Sequence, residues 1–209
     1  MYSILTNSWS SGMRMNSPRC LFGSASLGER AILVGGCDLE GNILSSAKMY
    51  NSETQTWKIL PNINKPRKMC SGLFMDGKFY VIGGIGGPDS KLSTYGEEFD
   101  FETETWTKIP NMSPARAAAT RENDRPASGE AGPLVAVVSN ELYAADYADM
   151  EVCKYDKERK LWFTVGRLPE RANSLNGWGL AWLGGSVWVA AVARWWWWQW
   201  QWQWQWQWQ

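Results

Sequence analysis

Of the residue types that carry protein chemistry, histidine is missing from this chain altogether. Without imidazole there is no Ser-His-Asp or Cys-His catalysis, and no histidine-built zinc, copper or iron site. Four cysteines stand at 20, 37, 70 and 153, and no two form a Cys-x-x-Cys pair, so neither a zinc site nor a thioredoxin-type pair follows from them. The amino terminus shows no basic stretch leading into an apolar run, so reduced thiols acting as small buried apolar groups are expected. Two acidic clusters, "GEEFDFETE" at 96–104 and "ADMEVCKYD" at 148–156, hold carboxylates close enough for paired acid–base work. Both sit in columns that read as strand surface, so solvated faces are the expectation. The "NKPRK" cluster at 64–68 reads as a solvated turn rather than a phosphate site. "GGIGGPD" at 83–89 invites a dinucleotide-loop reading, but Gly84 and Gly86 would require glycine where Asp89 stands, and no helix start follows. Lysine plus arginine equals aspartate plus glutamate, 21 each, which gives no electrostatic reason to expect a nucleic-acid partner or an anionic membrane. The chemistry therefore points away from an enzyme, with no cofactor and no metal, and toward the elements themselves.

Those elements repeat. Trp9, Trp57, Trp106 and Trp162 recur at intervals of 48, 49 and 56 residues, each preceded seven residues earlier by Tyr2, Tyr50, Phe99 or Tyr155. "MYNSETQTW", "EFDFETETW" and "KYDKERKLW" agree column by column. Ten residues after the first three tryptophans come Arg19, Arg67 and Arg116, in "NSPR", "NKPR" and "SPAR". Polar turns follow, "LGER" and "MDGK", and then apolar runs ending in Gly35–Gly36 and Gly83–Gly84. In the third copy "ELYAAD" takes that place, and Asp146 and Tyr147 stand near the diglycine position.

Each unit contains short β-favouring runs split by turn residues; in the second copy they fall at roughly 70–75, 78–83, 95–101 and 105–109. Four short strands in one repeat make an antiparallel meander, and no helical period lies between them. One such sheet cannot bury both of its faces alone, and repeats of this period solve the problem by stacking radially as propeller blades. The apolar run before the diglycine is expected to be an inner, doubly buried strand. The glycines allow positive φ and close backbone approach. The aromatic and the tryptophan should supply packing area between blades. The arginine either stacks on such rings, reaches strand-end carbonyls, or is simply solvated. The added length of the third copy falls in "TRENDRPASGEAGP", 120–133, which reads as a surface loop.

Diglycine at a strand end followed by aromatic-x6-tryptophan resembles the kelch repeat. The stretches "NSPRCLFGSASLGERAILVGGCD", "NKPRKMCSGLFMDGKFYVIGGIGG" and "VGRLPERANSLNGWGLA" look like the plant F-box/kelch-repeat proteins over about 1–181. The resemblance implies an all-β, kelch-type β-propeller, with the family's architectural residues at Gly35, Gly36, Tyr50, Trp57, Gly83, Gly84, Phe99, Trp106, Tyr155 and Trp162. Its expected organisation is a partial blade at 1–18 and repeats at about 19–66, 67–115 and 116–171. An aberrant continuation at 182–194 and a Trp/Gln low-complexity tail at 195–209 follow. Three units and a remnant make an incomplete propeller. In that family a helical F-box docks a Skp1-type subunit of a cullin ubiquitin ligase, and the propeller holds the protein to be ubiquitinated. The implied function is substrate recognition without bond chemistry, on loops at one rim that include 85–94 and 120–133; the alternative is a ubiquitin-independent kelch scaffold. No F-box is seen in the sequence, so a Skp1-type partner is expected only of a form that carries one. Nucleus or cytoplasm is the implied location, with no nucleic-acid or membrane partner. The tail's alternating Trp and Gln would place every indole on one face of a strand, but no function rests on it. Within 178–193 no charged residue occurs, yet the stretch is short for a membrane span.

Overall fold

The computed structural model describes residues 2–3, 6–9, 13–15, 17–87, 91–114, 134–146, 150–167, 176–183 and 186–193. Every regular element among them is a β-strand. A short hairpin, β1 (Tyr2–Ser3) with β2 (Ser8–Trp9), comes first. The first four-stranded sheet follows: β3 (Gly23–Leu27), β4 (Arg30–Val34), β5 (Ala47–Asn51) and β6 (Thr56–Leu60), paired in that order. The second sheet is β7 (Ser71–Met75), β8 (Lys78–Ile82), β11 (Gly96–Asp100) and β12 (Thr105–Ile109). A two-residue ribbon, β9 (Ile85–Gly86) with β10 (Lys91–Leu92), loops out between its middle strands. The third sheet is β13 (Leu134–Val138), β14 (Glu141–Asp146), β15 (Glu151–Asp156) and β16 (Leu161–Arg167). Last, β17 (Asn176–Leu183) pairs with β18 (Ser186–Ala193) along its whole length, so backbone pairing runs through much of the segment read as an aberrant continuation.

All pairings are antiparallel, and each four-stranded sheet is a plain meander. Turn chemistry sets this locally. Asp76 and Gly77 between β7 and β8, and Ser139 and Asn140 between β13 and β14, all take positive φ, the geometry of a tight two-residue hairpin. Between the third and fourth strands a side-chain oxygen closes the turn. Asn51 Oδ1 accepts from the backbone N–H of Glu53 and Thr54 at 2.9 and 3.0 Å. Asp100 does the same for Glu102 and Thr103, and Asp156 for Glu158 and Arg159. Four residues after each of these side chains, Gln55, Glu104 and Lys160 sit at φ between 52° and 56°.

The sheets stack through their first strands: β7 lies against β3 on one side and β13 on the other, and β13 in turn meets β17. This is the blade stacking of a propeller. The second sheet, stacked between two others, therefore has two buried faces. Phe79 and Val81 of β8 join Ile32, Val34, Ala47, Leu60 and Phe99 in one core. Tyr80 and Ile82, one residue out of phase, join Leu73, Met75, Met112, Leu142 and Tyr155 in the next. Burial on both faces makes β8 read as a continuous apolar run. In β4 only alternate residues, Ile32 and Val34, are fully buried; Ala31 and Leu33 stay half-buried.

Candidate interaction rim and the junctions that hold it

Antiparallel meanders give the stack two unlike rims. At one end lie the tight turns: two residues between the first and second strands of each blade, four between the third and fourth. The other end carries the long connections, 35–46, 61–70, 83–95 and 110–133. Loops held on a rigid scaffold are where binding residues concentrate. The connection 35–46 is well held. Asp38 accepts from Asn42 N at 2.8 Å, Asn42 Nδ2 at 2.9 Å and Glu40 N at 3.1 Å. These bonds, the Asn42 side chain foremost, keep the Asp38 carboxyl below its ordinary pKa. The ordered tip presents Leu39 with 81% of its surface exposed. Leu21 and Leu92 are also exposed on this rim. Sequence reasoning named 85–94 as a candidate loop and missed Leu39, whose signal was a lone apolar residue inside the polar turn "CDLEGN". The other candidate loop, 120–133, lies outside the described residues.

Both diglycines sit on the long-loop rim, and Gly35–Gly36 meets the entry of the next blade. Gly35, Gly36, Gly83 and Gly84 have φ of 66°, 91°, 64° and 90°. Gly36 N donates to Arg67 O at 2.8 Å. A Cβ on Gly35 would lie 2.3 Å from Arg67 O, and one on Gly36 2.4 Å from Cys20 O. Conformation and space both demand glycine here. In the third blade Asp146 ends β14 at the corresponding point, and Tyr147 is outside the described residues.

The aromatic and the tryptophan of each unit are direct cross-strand partners: Tyr50 with Trp57, Phe99 with Trp106, Tyr155 with Trp162. Their ring centroids are 5.0, 4.9 and 5.2 Å apart, with interplanar angles of 46°, 43° and 51°. In each pair the indole N–H reaches back to the segment leaving the preceding sheet. Trp57 donates to Met13 O at 3.3 Å, Trp106 to Pro61 O at 2.8 Å and Trp162 to Asn111 O at 3.0 Å. One residue thus supplies apolar area and an inter-blade hydrogen bond. The hairpin β1–β2 pairs Tyr2 with Trp9 in the same register.

Arg67 is buried, with 1% of its surface exposed, so the solvated reading of "NKPRK" fails at this residue. Its guanidinium donates to Gly83 O at 3.1 Å, lies 4.7 Å from the Tyr95 ring centroid and forms an ion pair with Glu97. Glu97 is 0% exposed, which corrects the solvated-face reading of "GEEFDFETE". Its second oxygen accepts from Asn64 N at 2.8 Å and Asn64 Nδ2 at 2.7 Å, tying the second blade to the exit of the first. A buried charge persists only when it is paired and bonded in this way. Arg19 repeats half of the arrangement. It donates to Gly35 O at 3.1 Å and Ser46 O at 3.0 Å, but Lys48 stands at the strand position corresponding to Glu97. Burial, and then Arg19, pull the Lys48 pKa down. Among the described residues the buried Arg19 Nε has no partner.

At the opposite rim the blade 2–3 junction is clasped by side chains. Asn140 Oδ1 accepts from Asp76 N at 2.7 Å, Asn140 Nδ2 donates to the Asp76 carboxylate, and Lys157 Nζ reaches Asp76 Oδ2 at 2.5 Å. At the blade 1–2 junction the facing turn positions are glycines, Gly28 and Gly77, and a cleft of about 350 Å³ remains, floored by Leu27, Phe74 and Phe101. The expectation of four buried thiols holds for Cys37 and Cys70; Cys20 is exposed and Cys153 half-exposed. Among the described residues no group of three or more Cys, Asp or Glu is placed to hold a metal ion. Among them, too, no helix is long and apolar enough to cross a membrane.

Comparison with known proteins places this geometry. The Kelch motif matches residues 18–64 and 66–113. The chain is 72% identical over 180 residues to the F-box/kelch-repeat protein SKIP11 of Arabidopsis thaliana, covering 86% of this chain and 38% of that protein. It is 61% identical over 183 residues to the F-box/kelch-repeat protein At1g26930 of Arabidopsis thaliana, covering 86% of this chain and 43% of that one. The chain thus spans about two fifths of the length of these relatives. The solved structure of YjhT is similar with a TM-score of 0.59 at 14% identity, over 85% of this chain and 66% of that one, a likeness of fold alone.

Proposed function

The chain is a kelch-repeat protein, related over most of its length to Arabidopsis F-box/kelch-repeat proteins, and on that footing we propose that it is a protein-binding module serving as the substrate-holding part of a cullin-type ubiquitin-ligase adaptor. The observation that carries the reading is the inequality of the rims. Long connections with exposed Leu21, Leu39 and Leu92 occupy one end, and two- and four-residue turns occupy the other. The blade junctions beneath them act as scaffold: diglycines, aromatic–tryptophan pairs and the Arg67–Glu97 pair fix where the loops leave the sheets. On the same reading 19–66, 67–115 and 116–171 are the repeat units, and the client is a nuclear or cytoplasmic protein. No step of bond chemistry is assigned to this chain.

The test is affinity capture from cell extract with the longest product of this gene. The reading expects a Skp1-type subunit and a client protein whose ubiquitination depends on that product. Replacing 38–42 with a glycine–serine loop is expected to lower client capture at least tenfold and leave Skp1-type capture unchanged. Client capture without any Skp1-type subunit would favour a ubiquitin-independent scaffold. Client capture indifferent to 38–42 and 85–94, but lost on changing the opposite turns, would refute the assignment of the rim.

A further inference from the structure

Cys20 and Cys37 face each other across an isolated antiparallel bridge at the edge of the long-loop rim. Cys20 N donates to Cys37 O at 3.0 Å, and Cys37 N to Cys20 O at 2.9 Å. Residues that exchange both bonds in this way have Cα atoms about 5.5 Å apart and side chains on one face. That spacing falls inside the roughly 4.4–6.8 Å window a disulfide spans. The Cys20 thiol is close enough to help raise the Cys37 pKa, and both thiols are free. They differ in access: Cys20 is exposed, whereas Cys37 shows 5% of its surface. The second repeat provides an internal control. There Lys68 and Ile85 make the same bridge, with bonds of 2.9 and 2.8 Å. The bridge therefore has no structural need of sulfur. Cys70 is buried with its Sγ 3.8 Å from Val34 O, and Cys153 lies on β15 opposite Ala144 and Thr164.

We propose that Cys20 and Cys37 are a two-electron oxidation site that a peroxide converts to a disulfide. The Cys20 thiolate attacks one oxygen of hydrogen peroxide; the O–O bond breaks, and the released hydroxide takes a proton to become water. Cys20 is left as the sulfenic acid. The Cys37 sulfur then attacks the Cys20 sulfur, the S–O bond breaks, and the departing hydroxide leaves as a second water with the proton of Cys37. Two thiols and one peroxide become one disulfide and two waters; sulfur is oxidised and peroxide reduced. The order of roles follows from access. Cys20 meets the oxidant, and Cys37 needs only its neighbour. Burial pushes the Cys37 thiol up, with the nearby Lys68 ammonium opposing, which suits a resolving group rather than the first to react.

The test uses the whole 209-residue chain, reduced, treated with hydrogen peroxide, then alkylated under denaturing conditions and mapped by mass spectrometry. The expected result is a Cys20–Cys37 linked peptide, a chain mass lower by two hydrogens, and Cys70 and Cys153 recovered alkylated. In Cys37→Ser, a dimedone adduct is expected on Cys20. Separate oxidation of Cys20 and Cys37 to sulfinic or sulfonic acids without a linked peptide would overturn the proposal, as would linkage to Cys70 or Cys153. Neither result bears on client capture, so this inference and the proposed function fail independently.

Discussion

Glu97→Gln removes one charge and almost no volume from the blade 1–2 junction. Arg67, with 1% of its surface exposed, would keep its guanidinium buried and lose its counter-ion. Breaking one side of a buried ion pair costs about 3–5 kcal/mol, because the remaining charge has no compensation. Two features set the value at the lower end. Arg67 keeps its bond to Gly83 O and its place against Tyr95, and a glutamine oxygen can still accept from Asn64. An expected loss of about 3 kcal/mol corresponds to a Tm lower by about 6–12 °C for a chain of this size. Urea unfolding followed by far-UV circular dichroism measures it, with Arg67→Met/Glu97→Leu as the second arm. That double variant removes both charges and leaves only neutral partners unpaired, each costing about 1–3 kcal/mol. It should therefore unfold later than the sum of its two single variants by about 3 kcal/mol. A Glu97→Gln protein within about 0.5 kcal/mol of the wild type would refute the reasoning, since surface changes fall in that range.

Further outcomes follow from the same geometry. Gly35→Ala should lower the unfolding free energy by more than about 3 kcal/mol, because its Cβ would sit 2.3 Å from Arg67 O; Gly41→Ala, also at positive φ but with open space around it, should cost only about 1 kcal/mol. Trp106→Phe keeps the ring pairing with Phe99 and loses the 2.8 Å bond to Pro61 O, which is exposed and can be hydrated, an expected cost of about 0.5–1.5 kcal/mol in the same urea assay. Lys48→Glu gives Arg19 the counter-ion that Arg67 already has, and should raise stability by about 1 kcal/mol; a fall would show that the two blades are not built alike. The Asp100 carboxyl is held below its ordinary pKa by the backbone N–H groups of Thr103 and Glu102, and then by Lys78. A depressed folded-state pKa contributes stability above the unfolded value, about 3.9, and that contribution is lost as pH falls through the folded value. Melting curves of Asp100→Asn against wild type should converge as pH falls below about 4, because the neutral asparagine, already used at Asn51, has no such dependence.

How much of this was legible depends on what the side chains were doing. The strand runs of the second repeat, read at 70–75, 78–83, 95–101 and 105–109, lie at 71–75, 78–82, 96–100 and 105–109. They could be read because turn residues and diglycine answer to local backbone geometry, which the sequence states directly. Tyr50 and Trp57 could be read because a four-residue turn makes their spacing a cross-strand pair. Glu97 was misread because its partner, Arg67, lies thirty residues earlier in a loop, and no local rule links them. The period of two held the clue: Glu97 is in phase with buried Phe99, and Glu98 is on the other face. Arg67 was left open among stacking, carbonyl bonding and solvation, and the fold uses the first two together. The unlike rims could be read only as loop lengths; which loop tip is rigid depended on the Asp38–Asn42 bonds.

The central claim is that each unit sets a buried aromatic against a half-buried tryptophan in one repeated cross-strand setting. Nuclear Overhauser contacts in labelled protein test it most directly. The account predicts the same pattern three times, ring to indole, for Tyr50–Trp57, Phe99–Trp106 and Tyr155–Trp162, with each indole N–H proton protected from exchange. Helical contacts three or four residues apart in these segments, or a different partner for any one of the tryptophans, would contradict it.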